Sequence, residues 1–109
     1  MRNIFRTQSA GKLLEAVLAL KSKNEAQLFL RDLLTEAEIK EFSARFEVAR
    51  MLSAKLPYSK IEKKTGMSST TIARISKWLQ SGMGGYQLLI NRINSNHHIH
   101  TQANLEVDS

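Results

Sequence analysis

The sequence contains no cysteine, which excludes disulfide staples, thiolate zinc sites and a cysteine nucleophile. Proline occurs once, at Pro57, and only five glycines interrupt the 109 residues, so few positions force the chain out of a helix. Aromatic side chains make up 6%, with Trp78 the single tryptophan. They fall mostly at helical core spacing and form no platform on which single-stranded bases could stack. No stretch approaches the roughly 18 apolar residues that a membrane span requires. The basic start Met1-Arg2-Asn3-Ile4-Phe5-Arg6 is not followed by the apolar core of a secretory signal. The expected location is therefore the cytoplasm, with no membrane partner. There is also no phosphate-cradling glycine loop, no nucleophile motif and no helical histidine–carboxylate pair, so no enzyme is expected.

What is present is enough apolar residue, 42%, to pack one domain. A chain this short buries a modest share of its surface, which leaves room for a partner subunit to supply stability. Lysine and arginine outnumber the acids 16 to 10. The excess sits in the body: residues 35–95 carry ten basic and five acidic groups, whereas residues 96–109 carry two acids and no lysine or arginine. A basic face in that region suits phosphate.

Apolar periodicity is helical throughout, without a run of strand-like alternation. Leu13, Leu14, Val17, Leu18 and Leu20 mark a first helix ending near Ser22–Asn24. A second spans about Glu25 to Leu33. Thr35 and Glu38 form a capping box, in which each side chain accepts a free backbone N–H at a helix start. It opens a long helix carrying Ile39, Phe42, Phe46, Val48, Ala49 and Leu52 to about Ala54, before Pro57. A short helix follows over Ser59–Lys64, and Ser68 or Ser69 caps another that reaches about Gln80. Gly82, Gly84 and Gly85 then release the chain into a last helix with Leu88, Leu89, Ile90 and Ile93. The expectation is an all-α fold of six helices. Residues 1–8 are read as an arm, 9–94 as the helical domain and 95–109 as a flexible tail.

The segment from Tyr58 to Lys77 carries the function. Two short helices locked at a steep angle need apolar facing sides and a turn residue tolerant of left-handed geometry. Gly66 supplies the turn, and Ile61, Thr65, Met67, Ile72 and Ile75 are spaced to point inward together. The result is a helix-turn-helix over about residues 58–79. Ser68, Ser69, Thr70 and Thr71 crowd the start of its second helix, where short side chains permit close approach to a DNA groove. Arg74 can donate two hydrogen bonds to a guanine edge, with Lys77 one turn further. Lys60, Lys63 and Lys64 on the first helix are placed for phosphate rather than bases. An ordinary helical hairpin, with serine caps and a solvated lysine face, would satisfy the same pattern. Glu62 is the discordant residue. It falls where a small side chain is expected, and must snorkel outward or find a partner.

Leu34-Thr35-Glu36-Ala37-Glu38, Ala44-Arg45-Phe46-Glu47-Val48-Ala49 and the segment ending Thr71-Ile72-Ala73-Arg74 together resemble the Trp repressor superfamily. The likeness is closer to its Trp-repressor-related YerC/YecD branch, through Arg45-Phe46-Glu47-Val48-Ala49-Arg50-Met51-Leu52 and Gly84-Gly85-Tyr86. It covers about residues 10–92. The resemblance implies an intertwined homodimer that binds double-stranded DNA as a transcriptional regulator, most simply a repressor. Its two heads would reach major grooves about 34 Å apart.

The resemblance also implies an effector pocket. In that family an indole lies between two arginines and beside a threonine, positions matched here by Arg45, Arg74 and Thr35. The glycine that leaves room for the ring is Ile75 in this chain, and the serine that contacts the ligand amino group is Trp78. Two larger side chains stand in the ligand's place, and overpacking is costly. Tryptophan is accordingly not expected as a corepressor, and no other effector or cofactor is named. On the residues alone, Arg45 reads equally well as a surface arginine and Trp78 as a packing residue. His97, His98 and His100 cluster in the tail but lack a further ligand at suitable spacing, so no metal site is expected. The alternative function is a protein-interaction module on a helix-turn-helix scaffold that no longer reads DNA. The acids Glu36, Glu38, Glu41, Glu47 and Glu62 lend it some support. RNA is a weaker candidate, because a rigid helix suits the B-form groove.

Overall fold

A computed structural model describes residues 3–103, with side chains described through Asn96. After a 3-10 turn over Ile4–Arg6, six helices follow: α1 (Gln8–Ala19), α2 (Lys23–Leu33), α3 (Glu36–Ser53), α4 (Tyr58–Thr65), α5 (Ser69–Ser81) and α6 (Gly85–Ala103). There is no strand among the described residues. Among the described residues, no helix is long and apolar enough to cross a membrane. The chain divides into two compact units between Lys40 and Glu41.

In the first unit, side-chain oxygens start each helix by accepting backbone N–H groups that have no intrahelical partner. Thr7 accepts from Ala10 at 3.2 Å, and Ser22 accepts from Glu25 at 3.1 Å. The capping box at α3 is complete: Glu38 N–H donates to Thr35 Oγ1 at 3.1 Å, and Thr35 N–H donates to Glu38 Oε1 at 2.9 Å. Because Ser22 serves as a cap, α1 ends at Ala19 and α2 begins at Lys23, each earlier than the apolar spacing alone suggests. The residues read as an arm hold the 3-10 turn, and α1 already starts at Gln8. No residue from Asn3 to Glu47 is buried. Leu13, Leu14, Val17 and Leu18 on α1 and Leu28, Leu30 and Leu33 on α2 remain exposed. These amphipathic helices have no core of their own.

The second unit contains the core. Val48, Ala49, Ile61, Ile72, Ile75 and Ile90 are buried, surrounded by Phe46, Met51, Leu52, Leu56, Met67, Leu79 and Tyr86. The end of α3 is a left-handed cap rather than a simple stop before Pro57. Lys55 sits at φ +67°, its N–H donating to the Leu52 carbonyl at 2.9 Å while Leu56 N–H reaches the Met51 carbonyl at 3.1 Å. This pair of bonds satisfies two carbonyls that a helix end leaves free.

The last helix departs from the sequence expectation. It continues to Ala103, through residues assigned above to a flexible tail from 95 onward. Asn94–His100 contain neither glycine nor proline, so polarity alone does not stop the helix there. Residues 104–109, the remainder of that tail, lie outside the described residues, as do the side chains of His97, His98 and His100.

Candidate nucleic-acid interface

The α4–α5 pair is built around a three-residue turn, Gly66-Met67-Ser68. Gly66 takes φ +74° and its N–H donates to the Glu62 carbonyl at 2.8 Å. The Thr65 hydroxyl donates to the Ile61 carbonyl at 2.7 Å and accepts Met67 N–H at 3.1 Å, tying the turn from both sides. Ile61 from α4 and Ile72 and Ile75 from α5 are wholly excluded from solvent. Burying three such side chains contributes several kcal/mol, about 1.5–3 each, and holds the two helices as one head. Thr65 and Met67, also expected to face inward, are half-buried.

The four hydroxyls at the start of α5 divide into two pairs. Ser68 is the N-cap: its Oγ accepts Thr71 N–H at 3.2 Å and lies 3.0 Å from Thr71 Oγ1. Thr71 is half-buried, so both hydroxyls are engaged in starting the helix. Ser68, Ser69 and Thr70 are exposed, as are Arg74 and Lys77, and Ser69 and Thr70 take no part in the cap. With Ala73, also exposed and not among the residues expected from the sequence, Ser69, Thr70, Arg74 and Lys77 form one outward stripe at helical spacing. Its signal in the sequence was position alone, three residues after Thr70. Helix α5 contains no acid, and Lys60, Lys63 and Lys64 are exposed on α4. The free N–H groups and dipole of α5 add positive character at its start. Glu62 is half-buried and makes no ion pair among the described residues. It shares a shallow depression with Ser59, Lys60 and Lys63.

At its far end, α5 carries Trp78 and stops at Gly82. A Cβ on Gly82 would lie 2.5 Å from the Trp78 carbonyl oxygen, so only glycine allows the chain to leave this close to the helix. The Trp78 ring is 43% exposed and faces the Arg45 guanidinium, 6.0 Å from the ring centre. Arg45 also lies 5.5 Å from the Phe42 ring and pairs with Glu41 at 2.6 Å. Phe42 and Glu41 both stand one turn back from Arg45 on α3, a spacing shared with many residues that are not partners. Of the other residues expected to line an effector pocket, Ile75 is wholly buried and Arg74 is exposed. The Thr35 hydroxyl is committed to its cap. No cluster of three or more metal-ligating side chains occurs among the described residues.

Comparison with known proteins agrees with this architecture. The chain is 38% identical over 89 residues to YerC of Bacillus subtilis, an uncharacterized protein, covering 82% of this chain and 86% of YerC. A TrpR-like protein from Eubacterium eligens superposes with a TM-score of 0.80 at 40% identity, covering 85% of this chain and 96% of that one. A Staphylococcus aureus protein described as a candidate Trp repressor gives a TM-score of 0.77 at 34% identity, with 83% and 90% covered. The sequence model of the family described as Trp repressor protein matches residues 8–94, and the chain belongs to that family.

Proposed function

We propose that the protein is a sequence-specific, double-stranded DNA-binding transcriptional regulator, acting as a homodimer and most simply as a repressor. The observation that carries this reading is the α4–α5 head, with an exposed Ser69-Thr70-Ala73-Arg74-Lys77 stripe and three lysines on α4. Small side chains at the start of the stripe let the helix approach base edges, and Arg74 follows one turn later for guanine or phosphate. Lys60, Lys63 and Lys64 would grip the backbone, and Ser68 and Thr71 shape the head rather than read bases. Family membership supports the same reading.

The homodimer is supported by what the chain leaves uncovered. Residues 3–47 contain no buried side chain, and Leu18 and Leu28 are 84% and 61% exposed. Apolar helix faces of this extent need an interface resembling a domain core. A second copy supplies one, and a two-fold pair of heads matches a palindromic site.

Activity without tryptophan is the further part of the proposal. Ile75 occupies the core where the family resemblance requires a space, and Trp78 with Phe42 already flanks Arg45. An added indole would have to displace side chains that are in place. DNA affinity is therefore expected to be equal with and without tryptophan.

For the protein-interaction alternative, most of the acids on α3 already have a partner within the chain. Glu38 is used in the capping box and Glu41 and Glu47 pair with arginines, leaving Glu36 and Glu62. Selection from a random duplex pool, with sequencing of fragments that survive a moderate-salt wash, tests the proposal. An enriched palindrome is expected. Retention without a motif would mean nonspecific binding, and no retention would favour protein docking.

A further inference from the structure

Beyond the reading stripe, the structure contains a contact that ties α5 to α3 outside the core. Ile72 and Ile75 hold the inner face of α5. Trp78 follows one turn after Ile75 but stands largely clear of the core, at 43% exposure. Its ring is met instead by Arg45 of α3, with the guanidinium 6.0 Å from the ring centre.

That guanidinium is fixed by its own helix. Glu41, one turn back, holds it at 2.6 Å, and the Phe42 ring lies 5.5 Å away. A planar cation held in this way loses little further freedom when it meets a second ring. Glu41 and Phe42 thus hold the one α3 side chain that faces Trp78. Trp78 is eight residues after Thr70, about 12 Å along the helix axis, with the buried isoleucines between them. Leu79, next to Trp78, also packs on the core, so the Arg45 contact adds to the hold on this end of α5, and a small change of tilt there is carried to the reading end.

We infer that Arg45 is a positioning residue for DNA reading: through its cation–π contact with the Trp78 ring, it sets the tilt of α5 and presents the Thr70–Arg74 stripe in one orientation. The inference rests on the DNA-binding function proposed above. It predicts that the head is preset by the chain's own residues, with loss of the contact felt as weaker binding to a specific duplex.

The test uses the full chain and a duplex enriched from the random pool. Arg45→Met should weaken binding about two- to five-fold, the range of a partly exposed cation–π contact. It should also change the emission of Trp78, which as the only tryptophan reports on its own environment. Arg50→Met is the matched control, since Arg50 lies on the same helix and is paired with Glu47; emission should not change. Trp78→Phe keeps a ring under the cation and should retain most of the affinity, whereas Trp78→Leu should not. The Arg45→Met/Trp78→Leu double variant should bind no more weakly than the worse single variant, because both remove one contact.

An Arg45→Met loss no larger than that of Arg50→Met, unchanged emission, or additive single effects would overturn the positioning role while leaving DNA reading intact. A wild-type protein with no preference for any duplex would overturn the DNA-reading proposal and the positioning role with it.

Discussion

The turn between α4 and α5 permits a worked prediction, because its geometry isolates one physical term. Gly66 sits at φ +74°, and a Cβ built there meets no heavy atom within 4 Å. Replacing it with alanine therefore introduces no clash, only the strain of an L side chain in left-handed backbone. That strain is about 1–2 kcal/mol. Alanine also restricts the unfolded chain, which offsets about 0.4–1 kcal/mol. The net loss should be about 1 kcal/mol per chain, seen as a fall of about 4–8 °C in Tm for a domain of this size. In a dimer both the loss and the unfolding entropy double, so the shift is the same at fixed protein concentration. Gly66→Asn should lose only a few tenths of a kcal/mol, since asparagine tolerates this backbone, and Gly66→Val should lose more than alanine. Lys55 is the converse case. It already occupies φ +67° without being glycine, so Lys55→Gly should be neutral or stabilise by up to about 1 kcal/mol. Thermal unfolding followed by circular dichroism measures all four variants. If Gly66→Ala unfolds at the wild-type temperature, or Asn is as harmful as Val, backbone strain is not what this glycine relieves.

Three other predictions follow from the same structure. Thr35→Ala should destabilise by about 1 kcal/mol through loss of the α3 cap. Combining it with Glu38→Ala should cost less than the sum of the two in urea denaturation, because the residues share one box. Lys63→Gln/Lys64→Gln should lower the salt slope of DNA binding, by about 0.9 for each phosphate contact removed and up to about 3.6 for both heads of a dimer; a slope equal to wild type would remove these lysines from the interface. Leu18→Glu places a charge on the most exposed leucine of α1 and should convert dimer to monomer in sedimentation equilibrium, whereas an unchanged molecular mass would locate the interface elsewhere.

Some features of this fold can be read from residue types because their physical cause is local. Thr35 and Glu38 stand three apart before an apolar-periodic run, and reciprocal capping follows from that spacing. Gly66, with inward Ile61 before it and Ile72 and Ile75 after it, announces the turn for the same reason. Other features depend on competition that spacing does not resolve. Four consecutive hydroxyls open α5, but it is the fold that pairs Ser68 with Thr71 and leaves Ser69 and Thr70 exposed outside that pair. Lys55 forms a left-handed cap without the glycine that would signal it, and the nearby Pro57 offered a simpler reason for the helix to end. The extension of α6 past Asn94 is missed because polar composition resembles a tail even where nothing breaks the helix. Arg45 illustrates the longest-range failure: its link to Trp78 joins helices 33 positions apart, and no local pattern encodes it.

The most direct test of the central claim is competition for the wild-type protein between the enriched duplex, its shuffled sequence and a version with five base pairs inserted between the half-sites. Two helix-turn-helix heads on a rigid two-fold dimer predict a preference of at least about a thousandfold for the enriched duplex over the shuffled one. The half-turn insertion should remove most of that preference, because it rotates one half-site to the opposite side of the helix. Equal affinity for all three duplexes would contradict sequence reading by this head, and indifference to the insertion alone would contradict the symmetric dimer.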